Sequence, residues 1–182
     1  PFDGSIGEEF TAAFWYKVSG NPDRAGILVA GADENRTQGF RLFREGSADE
    51  QRIKLNVGTG TGESWNDGGV IDVTAGEWVH VAFTISDTQS VIYLNGEAMN
   101  TGTLAAPIDW TGVDILSIMS GAPRFTGWGH LSDTSIMDDL TFYNKVLTAE
   151  EIHTTRGTDP QRRIADRSTR NGQDIAGQGG RW

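Results

Sequence analysis

Apolar residues along this chain recur at every second position far more often than at every third or fourth, and that period predicts strands. Phe10 to Val18 reads as the first strand, with the small Ala12–Ala13 pair allowing close sheet packing. Gly26 to Ala30 and Gly39 to Arg44 follow; in the second, Phe40, Leu42 and Arg44 alternate with Arg41 and Phe43. From Arg52 to Val57, apolar Ile53, Leu55 and Val57 alternate with polar neighbours, the pattern of a half-buried strand. The glycine-rich stretch from Gly58 to Gly69 reads as a loop, followed by a short strand from Val70 to Val73. Trp78 to Ile85 and Val91 to Leu94 are strands joined by the polar turn Asp87–Ser90, and Asn95-Gly96 turns the chain again. Leu104 to Asp114 is irregular, Ile115 to Met119 is a short strand, and Ser120 to Ser135 is a long loop. In the last strand Leu140 and Phe142 alternate with Thr141 and Tyr143, and the Leu147–Ile152 segment that follows is the one helical signal.

Short strands separated by Gly, Asn and Asp turns predict an all-β, antiparallel two-sheet sandwich with one short C-terminal helical turn. From Thr155 to Trp182 apolar periodicity is lost, so residues 1–154 are expected to form the sandwich. Residues 155–182 then form an irregular tail, packed on the body or serving as a linker.

Charge sharpens this division. Residues 1–154 carry 22 acidic and 9 basic side chains, whereas the last 28 residues carry 3 and 6. An acidic body argues against nucleic acid or an anionic membrane as the main partner. It leaves carboxylates free for a hard cation, although most surface Asp and Glu simply keep a protein in solution. No stretch approaches the roughly 20 apolar residues of a membrane span. The chain has no cysteine, which excludes disulfides and thiolate metal sites. No signal-type segment opens the sequence, and the abrupt start at Pro1 is read as that of a processed or excised piece.

Two segments carry a family resemblance. The first runs Gly76–Glu97 (GEWVHVAFTISDTQSVIYLNGE) and the second Met137–Ile152 (MDDLTFYNKVLTAEEI). Their W-x-H-V-A strand, Y-x-N-G-E hairpin and D-D-led final strand running into L-T-x-x-E-I resemble the LamG-like jelly roll of the concanavalin A-like lectin/glucanase superfamily. The resemblance extends over about Phe10 to Ile152 and implies a jelly-roll sandwich. It also implies a calcium ion between the domain start and the last strand, held by an F-D-G segment and the first Asp of the D-D pair. The matching positions are Asp3, Gly4 and Asp138. If alternation holds, Asp138 shares the inward face of Leu140 and Phe142, where a carboxylate needs a cation or hydrogen bonds. Backbone N–H groups could equally satisfy it.

Catalysis finds little support. A retaining glycosidase needs two carboxylates about 5 Å apart, and no E-x-D-x-x-E or E-x-D-x-E run is present. Adjacent pairs such as Glu8-Glu9 point to opposite faces of a strand. There is no G-x-S-x-G, and His80, His130 and His153 have no partner at metal-ligand spacing. His80 reads as an ordinary strand histidine.

Sugar recognition rests on loop aromatics. Trp15 and Trp78 lie in strands and read as core, whereas Trp65, Trp110 and Trp128 fall in glycine-rich or polar stretches. Sugar C–H faces stack on indole, and sugar hydroxyls bond to Asn, Asp and Arg. Trp65, Asn66, Asp67, Arg124, Trp128 and His130 are therefore the candidate ligand residues, on two loops expected to meet. The same tryptophans could instead plug the ends of the sandwich. The expectation is a non-catalytic, lectin-like carbohydrate-binding module with structural calcium, part of a secreted or cell-surface bacterial protein. Its partners would be an oligo- or polysaccharide and other domains of the same polypeptide, with no nucleic acid and no membrane insertion. The alternative is an adhesion, protein-interaction or spacer module.

Overall fold

A computed structural model describes residues 6–47, 49–73, 76–157 and 160. Ten strands form the body: β1 (Phe10–Lys17), β2 (Arg24–Gly31), β3 (Phe40–Ser47), β4 (Glu50–Gly58), β5 (Glu63–Ile71), β6 (Trp78–Ile85), β7 (Gln89–Leu94), β8 (Glu97–Thr103), β9 (Ile115–Ile118) and β10 (Ile136–Tyr143). They pair into two five-stranded antiparallel sheets, ordered β10-β1-β6-β7-β8 and β5-β4-β3-β2-β9. The sandwich expected from the alternation is thus the observed architecture. One short helix, α1 (Ala149–Thr155), follows the last strand. The Thr148 hydroxyl accepts the Glu151 N–H while the Glu151 carboxylate accepts the Thr148 N–H, which satisfies two of the helix's orphan donors.

The inward faces of the sheets fill one core. Phe10, Phe14 and Tyr16 of β1 meet Phe40 and Leu42 of β3, with Val81, Phe83 and Ile85 of β6 beside them. Phe40 lies 5.5 Å from Phe10 and 5.3 Å from Phe83 between ring centroids, within the range of favourable aromatic packing. Trp110 closes one end of this core against Phe10 and Phe40, and its indole N–H donates to the Gly7 carbonyl at 3.2 Å.

One ion pair is built into the core. The Arg44 side chain shares its face with Phe40 and Leu42 and is fully buried, as is its partner Asp133, at 2.9 Å. The guanidinium also donates to Tyr16 Oη, the Pro22 carbonyl and Gln51 Oε1. Tyr16 in turn donates its hydroxyl to Asp133. Asp133 therefore ties the end of the 120–135 loop to the sandwich interior.

Two sequence expectations change, and one strand had gone unassigned. The stretch read as a loop from Gly58 to Gly69 is largely strand, because β5 runs from Glu63. Strand β8, a stretch to which the sequence reading assigned no element, has a polar sequence because it lies at a sheet edge with every residue but Gly102 exposed. In β10, a bulge opposite Phe14 breaks the alternation. Ala13 pairs with Thr141 but Trp15 pairs with Asp138, and Asp139 sits at φ 55°. Phe142 and Leu140 pack against the core as expected, but Asp138 is shifted to the opposite face, beside Trp15, and is exposed. Its Oδ1 accepts the Asp139 N–H at 2.9 Å. The inward direction expected of Asp138 is therefore incorrect, and the extra residue of the bulge is the reason. Asp3 and Gly4, and nearly all of the 155–182 tail, lie outside the described residues.

Candidate functional site

The outer face of the second sheet carries the aromatic residues that the sequence singled out. Alternation along β3 sends Phe40, Leu42 and Arg44 inward, and Arg41, Phe43 and Glu45 outward. Register then places Trp65, Asn56, Arg41 and Val29 in one row across four strands, and Asp67, Lys54 and Phe43 in the next. The 120–131 segment folds over the β2–β3 half of this face. Phe125 packs 5.0 Å from Phe43, and His130 stacks 4.5 Å from Phe125. Close backbone approach makes this cover possible. A Cβ at Gly26 would lie 2.2 Å from the Gly121 nitrogen, a distance only glycine permits.

Trp128, on that covering segment, stacks on Trp65 of the edge strand β5. Their ring centroids are 5.8 Å apart, with planes inclined by 15°. Trp65 is 38% exposed and Trp128 50%, so the pair forms an aromatic ledge open to solvent. The two segments meet as expected, although Trp65 comes from a strand rather than a loop.

Several polar contacts hold the ledge. The Glu34 carboxylate accepts the Thr126 N–H at 2.9 Å, its hydroxyl at 2.7 Å and the Gly127 N–H at 3.3 Å. Partial burial alone would raise the Glu34 carboxyl, but these bonds hold it below the usual carboxylate range. Arg24 Nη1 donates to the Trp128 carbonyl at 3.0 Å. The Arg36 guanidinium lies 4.8 Å from the Trp128 ring centroid and pairs with Glu63 at 3.0 Å. Glu63 also accepts from Asn56 Nδ2 at 2.9 Å. Beneath the ledge, Asn56 Oδ1 and Arg41 Nε are buried without a hydrogen-bond partner. Burial, with Arg36 nearby, pushes the Arg41 guanidinium down to about 10.

The remaining candidates divide. Asp67 shares the outward face of Trp65 and pairs with Lys54 at 3.1 Å. Arg124 sits on the covering segment but is turned to Asp114, at 2.8 Å. Asn66 is not a contact residue. In a strand it must point opposite to Trp65, and there it is buried, donating to the Ser90 carbonyl at 3.0 Å and accepting from Asn100 at 3.1 Å. His130 is also out of reach, being fully buried between Phe43 and Phe125. Burial pushes its imidazole down to about 4, against the opposing pull of Glu45 at 3.3 Å. Residues missed from sequence are Arg24, Glu34, Arg36 and Glu63. Only Glu63 had a signal, the Glu63/Trp65/Asp67 alternation that becomes visible once β5 is recognised as a strand.

For calcium, Asp138 offers an exposed carboxylate already engaged by the Asp139 N–H, and the described residues contain no group of three or more His, Asp or Glu placed to hold a metal ion. Among the described residues no helix is long and apolar enough to cross a membrane.

Solved structures share this fold. The CBM40 of a Ruminococcus gnavus IT-sialidase matches with a TM-score of 0.62 and 20% identity, over 84% of each chain. Domain 4 of AbnA, a GH43 extracellular arabinanase from Geobacillus stearothermophilus solved with arabinotriose, matches with a TM-score of 0.58 and 17% identity, over 81% of this chain and 66% of that one. The binding domain of botulinum neurotoxin DC, in complex with SialylT, matches with a TM-score of 0.55 and 13% identity. The match covers 81% of this chain but only 34% of the toxin domain, about a third of its length. At these identities the likeness is one of fold. A comparison with curated protein sequences found no match. The family profile, however, spans residues 3–153, and by that measure the chain belongs to the concanavalin A-like lectin/glucanases superfamily.

Proposed function

We propose that the protein is a non-catalytic carbohydrate-binding module whose glycan lies along the Trp65–Trp128 ledge. The observation carrying this reading is the ledge itself. Two indoles from distant segments are stacked on each other and partly exposed, on a covering segment fixed through Glu34 and Arg24. Leaving such apolar area in water is unfavourable for the isolated fold, and a sugar's C–H face would cover it. Asp67, Lys54, Arg36 and Glu63 surround the ledge with groups able to meet hydroxyls. The CBM40 and the arabinanase domain support the reading as modules of larger carbohydrate-active proteins on the same fold. Secretion or display on a bacterial surface belongs to the same proposal.

The test is a glycan array probed with the wild-type protein, Trp65→Ala and Trp128→Ala. Loss of either stacking partner should weaken binding by roughly 1–3 kcal/mol without changing the far-UV circular dichroism. Undiminished binding by both variants would reject the ledge as the site.

A structural calcium ion at Asp3, Gly4 and Asp138 remains part of the proposal, now with an outward-facing Asp138. EDTA should lower the Tm of metal-loaded wild-type protein and not that of Asp138→Asn. Equal melting of the wild type with and without chelator would remove the ion from the account.

One observation favours an adhesion or spacer role as the second reading. Exposed Ile118 and Ile136 line one cleft of ≈530 Å³ between the edges of β9 and β10. A blank array would favour that reading.

A further inference from the structure

The cations of this acidic molecule are gathered in one place. Of the nine Lys and Arg residues in positions 1–154, six stand on the outer face of the second sheet or on the segments folded over it: Arg24, Arg36, Arg41, Arg52, Lys54 and Arg124. The other three are Arg44, consumed in the core, and Lys17 and Lys145 at the ends of β1 and β10. The cations of the described sandwich are therefore concentrated on the tryptophan face.

Three of the six already have carboxylate partners: Arg36 with Glu63, Lys54 with Glu45 and Asp67, and Arg124 with Asp114. Arg41 is buried and donates to the carbonyls of Gln38 and Asp33, and among the described residues it forms no ion pair. That leaves Arg24 and Arg52, for which no ion pair forms among the described residues. Both line one polar cleft of ≈590 Å³, with Glu45, Gly46, Ser47, Glu50 and Lys54.

Register fixes how the two face each other. Arg24 pairs with Glu45 across β2–β3, and Glu45 pairs with Arg52 across β3–β4, so the two arginines stand in one row. Their backbones are roughly 10 Å apart, two strand spacings. Glu45, between them, is drawn to Lys54 Nζ at 2.5 Å, a cation it shares with Asp67. The cleft also adjoins the ledge. Arg24 donates to the Trp128 carbonyl, and Lys54 reaches Asp67, two residues beyond Trp65.

We propose that the cleft between Arg24 and Arg52 seats an oxyanion carried by the glycan, a carboxylate or a sulfate ester, while the sugar ring beside it lies on the Trp128–Trp65 ledge. The inference rests on the ledge being the glycan site and adds the class of glycan. Guanidinium groups match such oxyanions with paired N–H donors. Over the rest of the surface an acidic polysaccharide would be repelled, so the charge distribution also orients its approach. Glu50 lines the same cleft and opposes the incoming anion.

The experiment uses an array of matched pairs: oligogalacturonates beside their methyl esters, sialyllactose beside lactose, and sulfated galactose oligosaccharides beside their unsulfated parents. The hit pair is then titrated by calorimetry. The acidic member should bind about tenfold or more tightly than its neutral parent, with the difference shrinking at high salt. Arg52→Gln should reduce that ratio about tenfold while leaving the neutral parent's affinity unchanged, and Glu50→Gln should increase it. Which acidic pair responds identifies carboxylate or sulfate. Equal binding of acidic and neutral members, or an equal loss of both in Arg52→Gln, overturns the oxyanion seat and leaves the carbohydrate reading standing. A blank array removes both.

Discussion

Replacing Asp133 by Asn tests how the site-bearing loop is anchored. Asp133 and Arg44 are both fully buried, and the carboxylate receives Arg44 Nη2 at 2.9 Å, the Tyr16 hydroxyl and the Ser135 N–H at 2.9 Å. Asn keeps the shape but removes the charge, leaving the guanidinium with neutral acceptors only, at Pro22 and Gln51, both 2.7 Å away, and at Tyr16 Oη, 3.0 Å away. Breaking a buried pair from one side costs about 3–5 kcal/mol. The neutral acceptors that remain, and the amide oxygen of Asn, place Asp133→Asn at the lower end, about 3 kcal/mol. For a domain of this size that lowers Tm by roughly 6–12 °C. Urea titration followed by near-UV circular dichroism measures the loss, and an unchanged m-value confirms that the denatured state is unaltered. Replacing both partners, as Arg44→Met with Asp133→Leu, removes the desolvation cost with the attraction, so the double variant should be more stable than Asp133→Asn. A loss under about 1 kcal/mol in Asp133→Asn, or a double variant less stable than the single one, would refute the argument that an uncompensated buried charge dominates.

Two further outcomes follow, one from two buried histidines and one from the carboxylate that holds the ledge. His130 and His80 are buried, and burial pushes both imidazoles down to about 4, with Arg156 adding to the effect at His80. Between that value and the ordinary pKa near 6.5 the unfolded chain binds protons that the folded one does not, so stability falls as pH falls through this window, by roughly 3 kcal/mol for each histidine. Melting curves across the window should show a shallower pH slope for His130→Phe than for the wild type, and an identical slope would reject the role of His130. Glu34→Ala removes four hydrogen bonds to Thr126 and Gly127, and it should cost about 1–3 kcal/mol and shift tryptophan emission to the red as Trp128 loses its support; unchanged emission would show that the loop is held elsewhere.

Legibility followed local chemistry. The strands of Phe10–Lys17, Trp78–Ile85 and Gln89–Leu94 were readable because their inward sides are apolar and their period is regular. Strand β8 was hidden because its residues are polar and nearly all exposed, so no apolar alternation reveals it. Strand β5 was hidden by Gly68 and Gly69, which read as loop but lie against Ile92 and Leu94 of the facing sheet, where a Cβ would come within 2.6 Å and 2.3 Å of their side chains. Assigning that stretch to a loop also misdirected Asn66, whose inward direction follows at once from strand alternation beside Trp65. A bulge leaves no composition signal, so Asp138 was assigned to the wrong face. Trp65 and Trp128 were legible as aromatics among glycine and polar residues, but their stacking depends on a register set by strands far away in sequence.

That stacking also gives the molecule an optical property of its own. Two indoles at 5.8 Å and nearly parallel couple their electronic transitions, so the folded protein should carry an exciton couplet in its circular dichroism spectrum. The sign and strength of such a couplet depend on the angle and separation of the two rings, and either single tryptophan variant abolishes it. The ledge thus reports its own geometry without a label, and a ligand that tilts one ring against the other becomes visible as a change in ellipticity.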